Sequence, residues 1–143
     1  MSEAIRVLHV DDDPAFLDLT RAYLEREADL SVVTADGAAE GLSTLDESEV
    51  DCVVTDYQMP GRDGIAFLWT VREDRPELPV LLFTGEGSET VASEAISAGV
   101  TDYLQKGVGS TQFEVLANRV RNVVDRHRAT RETERLGRLF EAL

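Results

Sequence analysis

The chain has 143 residues, 43% of them hydrophobic, which suits one packed domain and leaves little room for a second. Its formal charge of -14 gives a surface that repels nucleic acid and anionic lipid, so neither direct nucleic-acid binding by this segment nor membrane association is expected. A single cysteine, Cys52, excludes an internal disulfide; no apolar run approaches the roughly 18 residues of a membrane span, and the N-terminus has no basic-then-apolar leader, so a cytoplasmic protein is expected.

Residues 5–10 (Ile-Arg-Val-Leu-His-Val) read as a short strand. Pro14 suits the first turn of a helix, where its missing N–H costs nothing, and Asp13 suits the cap before it. Phe16, Leu17, Leu19, Thr20, Tyr23 and Leu24 continue at helical spacing to about residue 27. Residues 30–34 form a second strand, and a helix over 38–45 follows. Residues 50–55 are β-branched and apolar after Asp51, as in a strand buried on both faces. Met59-Pro60-Gly61 and Asp63-Gly64 mark a loop and the start of a helix that ends near Arg75, ahead of Pro76 and Pro79. Residues 80–83 are the fourth strand, a helix over 88–98 ends at the C-capping Gly99, and 100–104 are the fifth strand. A last helix starts near Ser110 or Thr111.

Five strand–helix units with short connections predict an α/β fold: a doubly wound parallel sheet with helices on both faces. In such sheets, ligands bind beyond the carboxyl ends of the strands. Four of those ends carry chemistry: Asp11 and Asp12, then Asp56, then Thr84, then Lys106, the only lysine in the chain.

Three clustered carboxylates repel, at roughly 4 kcal/mol per close pair for an effective dielectric near 20. Such a cluster holds either a proton or a cation, and a hard, oxygen-liganded ion such as Mg²⁺ fits best. For Asp11 and Asp12 alone, helix capping competes with this; Asp56 at a neighbouring strand end favours metal. No helical pattern follows Asp56 directly, so capping is a weak role for it, and a carboxylate beside Mg²⁺ can attack phosphorus to give an acyl phosphate. Lys106, flanked by Gly107 just past a strand end, suits a phosphate that comes and goes. Thr84 before Gly85 fits a hydroxyl donor or a plain turn equally.

The segments Val-Leu-His-Val-Asp-Asp-Asp-Pro, Val-Val-Thr-Asp-Tyr-Gln-Met-Pro-Gly-Arg-Asp-Gly, Leu-Leu-Phe-Thr-Gly and Asp-Tyr-Leu-Gln-Lys-Gly resemble the receiver domain of two-component response regulators. The resemblance covers about residues 4–125 and implies a flavodoxin-like (βα)5 sheet of order 2-1-3-4-5. It implies that Asp56 is the phosphoacceptor, that Asp12 and Asp56 bind Mg²⁺ directly with Asp11 acting largely through water, and that the Gln58 backbone carbonyl is a further ligand. It makes Thr84 the switch hydroxyl, Tyr103 the aromatic switch residue and Lys106 the phosphate-binding lysine. Gln58 and Glu86 occupy positions that tune phosphate lifetime in the family. One departure is Gly107, where the family usually has proline after the lysine, often with a cis bond. A cis bond to a non-proline residue costs about 3 kcal/mol, so the path of the loop and the seat of Lys106 stay open.

The function implied is a phosphorylatable switch rather than a turnover enzyme. The partner would be a histidine kinase or phosphotransfer protein, and the change would be presented near the fourth helix, fifth strand and fifth helix. Two other readings compete. A haloacid-dehalogenase-type phosphatase would want Thr or Val where Ala15 stands, a later acidic pair and a cap domain. A docking-only pseudo-receiver would not need every reactive position. His9, mid-strand, reads as a buried, hydrogen-bonded histidine; His127 as solvated; Trp69 and Cys52 as non-catalytic. Thirteen arginines against one lysine, in so acidic a chain, fit a salty cytoplasm such as a halophile's. Residues 126–143 are charged to Arg135, and then Leu136, Leu139, Phe140 and Leu143 resume helical spacing. They read as a helical linker to an absent sensor, kinase or output module, or as a dimerising last helix.

Overall fold

A computed structural model describes residues 4–85 and 89–142. In chain order the elements are β1 (Arg6–Val10), α1 (Pro14–Glu27), β2 (Ser31–Ala35), α2 (Ala38–Glu47), β3 (Cys52–Thr55), α3 (Gly64–Asp74), β4 (Val80–Thr84), α4 (Glu89–Ser97), β5 (Asp102–Gln105) and α5 (Thr111–Ala142). The strands form one parallel sheet of order β2-β1-β3-β4-β5, as expected. The expected start of α4 at Ser88, and Glu86, lie outside the described residues, as does Leu143.

Side-chain caps start α1 and α3. The Asp13 carboxylate accepts from Phe16 N–H at 3.2 Å, with Pro14 in the first turn. Asp63 does the same for α3, accepting from Ala66 N–H at 2.8 Å. Gly99 ends the α4 region at φ +88, the left-handed turn that favours glycine.

The central strands β3 and β4 are wholly buried, which explains their unbroken apolar runs. Two apolar layers cover the sheet. One packs Leu8, Val10, Val53 and Leu82 against Phe67, Leu68 and Ala95 of α3 and α4. The other packs Val7, Val54, Leu81 and Phe83 against Leu24 of α1 and Leu116, Val120 and Val124 of α5.

Boundaries differ in places. α2 runs on to Glu47, β2 is shifted one residue to Ser31–Ala35, and β5 begins at Asp102. Before β5, the Thr101 N–H donates to the Val80 carbonyl and its hydroxyl accepts from Val80 N–H, which delays the strand pairing. α5 is one unbroken helix of 32 residues. Its buried side chains stop at Val124, and Leu136, Leu139 and Phe140 are 45%, 54% and 75% exposed. No helix among the described residues is long and apolar enough to cross a membrane.

Candidate functional site

The parallel register brings the reactive ends together. Val10 pairs with Thr55, so Asp11 and Asp56 each lie one residue beyond that pair. Asp11 N–H donates to the Ala35 carbonyl at 3.1 Å, and Asp56 N–H to the Val10 carbonyl at 3.0 Å. Thr84 pairs with Gln105, which puts Lys106 one residue past β5; its N–H donates to the Thr84 carbonyl at 2.9 Å.

Asp11, Asp12 and Asp56 each offer a carboxylate oxygen within 4.8 Å of the others. Asp11 and Asp56 are buried and Asp12 is exposed. The Lys106 ammonium bridges the two buried groups, at 2.8 Å from Asp11 Oδ2 and 3.3 Å from Asp56 Oδ2. Asp11 Oδ1 accepts from Asp13 N–H at 3.0 Å, so both its oxygens are engaged. Asp56 Oδ1 accepts from Tyr57 N–H at 2.8 Å, which leaves Oδ2 facing the lysine. The peptide bond after Lys106 is not cis, and glycine in place of proline still lets the lysine reach the crevice.

Three carboxylates against one ammonium leave an excess of two negative charges, so the site is complementary to a divalent cation. Burial raises the Asp11 carboxyl above its ordinary range, and the Asp56 charge adds to this; the Lys106 ammonium and the Asp13 N–H oppose it. For Lys106, burial favours the neutral amine, but hydrogen bonds and charge from Asp11 and Asp56 outweigh it and raise the group, so it stays an ammonium.

Other candidates surround this centre. Thr84 is buried at the end of β4. Tyr103, on β5 opposite Leu82, is half-buried against the α3–α4 layer. Gln58 is exposed in the loop after Asp56, beside a shallow groove lined by Asp12, Tyr57, Met59, Pro60 and Asp63. Glu86 is outside the described residues. A larger hollow at the opposite end of the sheet, lined by Glu49, Asp51, Arg75, His127, Arg128 and Arg131, contains none of the reactive set.

Three residues depart from the sequence reading or escaped it. His9 is buried, but among the described residues neither ring nitrogen has a hydrogen-bond partner, contrary to expectation; burial and the Lys106 charge push it down to about 3. His127 is half-buried in the opposite hollow rather than solvated. Gly64 does more than start a helix: a side-chain carbon there would stand 2.1 Å from the Asp56 carbonyl oxygen. Its adjacency to Asp63, the N-cap of α3, was the one signal in the sequence. Trp69 faces solvent on α3, and Cys52 is buried with its thiol pushed up by that burial.

The fold and the crevice define a doubly wound α/β domain whose strand ends gather acidic groups around one lysine. Residues 7–118 match the response regulator receiver domain, and the chain belongs to that family. It is therefore a signalling domain of the two-component class. It is 39% identical over 102 residues to the transcriptional regulatory protein GlrR of Escherichia coli K12, covering 71% of this chain and 23% of that one. It is 34% identical over 131 residues to the C4-dicarboxylate transport regulator DctD of Pseudomonas aeruginosa, covering 92% of this chain and 28% of that one. The chain thus spans about a quarter of the length of these two relatives. The solved CheY-like receiver from Methanospirillum hungatei superposes with a TM-score of 0.81 at 27% identity, over 90% of this chain and 99% of that one.

Proposed function

We propose that Asp56 accepts a phosphoryl group from a histidine kinase or phosphotransfer protein, and that the domain shifts between two states as a result. The observation that carries this reading is the Lys106 ammonium held between Asp11 and Asp56, 3.3 Å from Asp56 Oδ2. Each of the two buried carboxylates has one oxygen on a backbone N–H and the other on Lys106, but Asp56 is the less enclosed (8% exposed against 0%) and its lysine contact is the longer, 3.3 against 2.8 Å, which favours Asp56 as the nucleophile. An Asp56 oxygen forms the new bond to phosphorus as the donor's P–N bond breaks, and the electron pair leaves with the donor histidine nitrogen. Lys106 attracts the phosphoryl oxygens and the Thr84 hydroxyl donates to one of them. Tyr103, half-buried on β5, would turn as Thr84 moves, and the populations of the two states would change accordingly.

Asp11, Asp12, Asp56 and the Gln58 carbonyl would hold Mg²⁺. The donors are all hard oxygens, and the three carboxylate oxygens lie within 4.8 Å of one another, close to the roughly 4.2 Å across an octahedral Mg²⁺ site. When bound, the ion supplies neutralisation of charge on the transferring group. In this reading residues 4–125 are the receiver and 126–143 a helical linker to an absent module or the dimerising end of the last helix. A soluble, cytoplasmic setting fits a kinase partner.

The test is direct. Incubation with Mg²⁺ and a small phosphodonor such as acetyl phosphate should add the mass of one phosphoryl group, and Asp56→Asn should abolish the addition. No addition with donor, Mg²⁺ or a histidine kinase sinks the reading. Steady hydrolysis of many phosphate esters would point to a phosphatase instead.

A further inference from the structure

The only lysine of the chain sits where its backbone gives it little guidance. Strand pairing ends at Gln105, and the Lys106 N–H bond to Thr84 is the last tie to the sheet. Among the described residues, a side-chain carbon built on Gly107 would meet only Gln112 Cβ, at 3.7 Å, an ordinary contact distance. Val108 is 90% exposed, and Gly109 turns away at φ +68. A lysine stem carries about 2 kcal/mol of rotamer freedom, so the position of the ammonium depends on what surrounds its tip.

Two of its holders are Asp11 and Asp56. The third is uncharged: the ammonium lies 4.4 Å from the centre of the Phe16 ring, within cation–π range. The ring is itself fixed. It packs at 5.8 Å from Phe83 and 5.7 Å from Phe113, and meets the edge of His9 at 6.0 Å. Its backbone N–H is the one that Asp13 caps, so the first turn of α1 sets where the ring stands. The carboxylates act as charges whose sum changes when Asp56 is modified; the ring's attraction does not.

We propose that Phe16 is a positioning residue whose ring face holds the Lys106 ammonium over the crevice, facing Asp56. The proposal rests on the phosphoacceptor reading above for its functional consequence, though not for the contact itself.

Because Lys106 is the only lysine, the full chain labelled with ¹³C,¹⁵N-lysine gives one side-chain spin system. Its ε-methylene protons should resonate upfield, through the ring current of Phe16, and move downfield in Phe16→Leu. Phosphorylation by acetyl phosphate should slow about fivefold in that variant, which corresponds to about 1 kcal/mol. Phe16→Tyr should restore both readouts. Site-specific fluorination of residue 16 weakens the ring's quadrupole at nearly constant shape, so the rate should fall stepwise with fluorine count at unchanged melting temperature. This series also decides the matter if Phe16→Leu folds poorly. An unmoved lysine resonance in Phe16→Leu, or a flat rate across the fluorinated series, overturns the proposal. A resonance that answers to the ring in a protein that takes no phosphoryl group supports the contact and overturns the phosphoacceptor reading.

Discussion

Gly64 decides where Asp56 can lie. Helix propensity alone favours alanine over glycine there, by less than the roughly 1 kcal/mol of a helix interior because the residue is the first of α3. Sterics point the other way: an added carbon would stand 2.1 Å from the Asp56 carbonyl oxygen and 3.0 Å from Tyr57 Cα, both backbone atoms that cannot step aside. The Gly64 N–H also donates to the Tyr57 carbonyl at 2.8 Å, which locks the turn after Asp56. Gly64→Ala should therefore destabilise the fold by about 1–3 kcal/mol and slow phosphorylation of Asp56, measured by chemical denaturation and by mass. His9 gives a second prediction at this scale. Its folded pKa, about 3, lies below the ordinary 6.5, so the unfolded chain takes up a proton that the folded chain refuses. The stability it allows is present above pH 6.5 and is lost as pH falls toward 3. His9→Leu should remove this loss and gain about 2 kcal/mol more at pH 5 than at pH 8, as denaturant melts at the two pH values would show. Equal gains at both would overturn it. The strand-end residues Asp11, Asp56, Thr84 and Lys106 were legible because each follows a run whose length and apolarity mark a strand. Gly64 and Phe16 were not, since their roles lie in through-space contacts that spacing along the chain does not encode. The orphaned nitrogens of His9 were likewise hidden, because pattern reports burial and not partners.

Among the elements, the join between α3, β4 and β5 depends on one side chain. The Arg72 guanidinium donates to the carbonyls of Gly99, Arg75 and Leu78 at 2.8, 3.0 and 2.7 Å, and to the Thr101 hydroxyl at 3.3 Å. It thus ties the end of α3 to the segments leading into β4 and β5, and burial lowers its pKa. Bonds to a charged group contribute roughly 1.5–3 kcal/mol each before losses of side-chain freedom, and Arg72→Ala would leave three carbonyls without this donor. A loss of about 2–4 kcal/mol is expected from equilibrium denaturation, with Arg72→Lys recovering only part of it, because an ammonium lacks the planar fork. A loss below about 0.5 kcal/mol, the range of ordinary surface substitutions, would contradict this. Element types and order were readable from the alternation of short apolar runs with helical spacing. The ends of β2, α2 and β5 shifted by a residue or two because side chains such as Thr101 compete for the backbone groups that define a strand's first pair.

For the whole molecule, an excess of 14 negative charges means that the folded state repels itself. The Debye length falls from about 10 Å at 0.1 M salt to about 3 Å at 1 M, so most of this repulsion should be screened within that range. The melting temperature should rise with added KCl and then level off; a flat or falling curve would argue against a salt-adapted surface. The two-layer core was foreseeable from composition and strand count. The unbroken course of α5 past the core was not, because its charged middle reads as a boundary while helical geometry runs straight through it.

That continuity has a mechanical side. Beyond Asp125, 17 residues to Ala142 extend the helix, about 26 Å at 1.5 Å per residue. The helix is rooted in the sheet layer by Phe113, Leu116 and Val120, close to β5. A rod pivoting on that base magnifies small angles: a tilt of about 5° at the root carries the tip about 2 Å sideways. α5 is thus shaped as a lever, with its short arm buried beside the strand next to the crevice and its long arm in solvent.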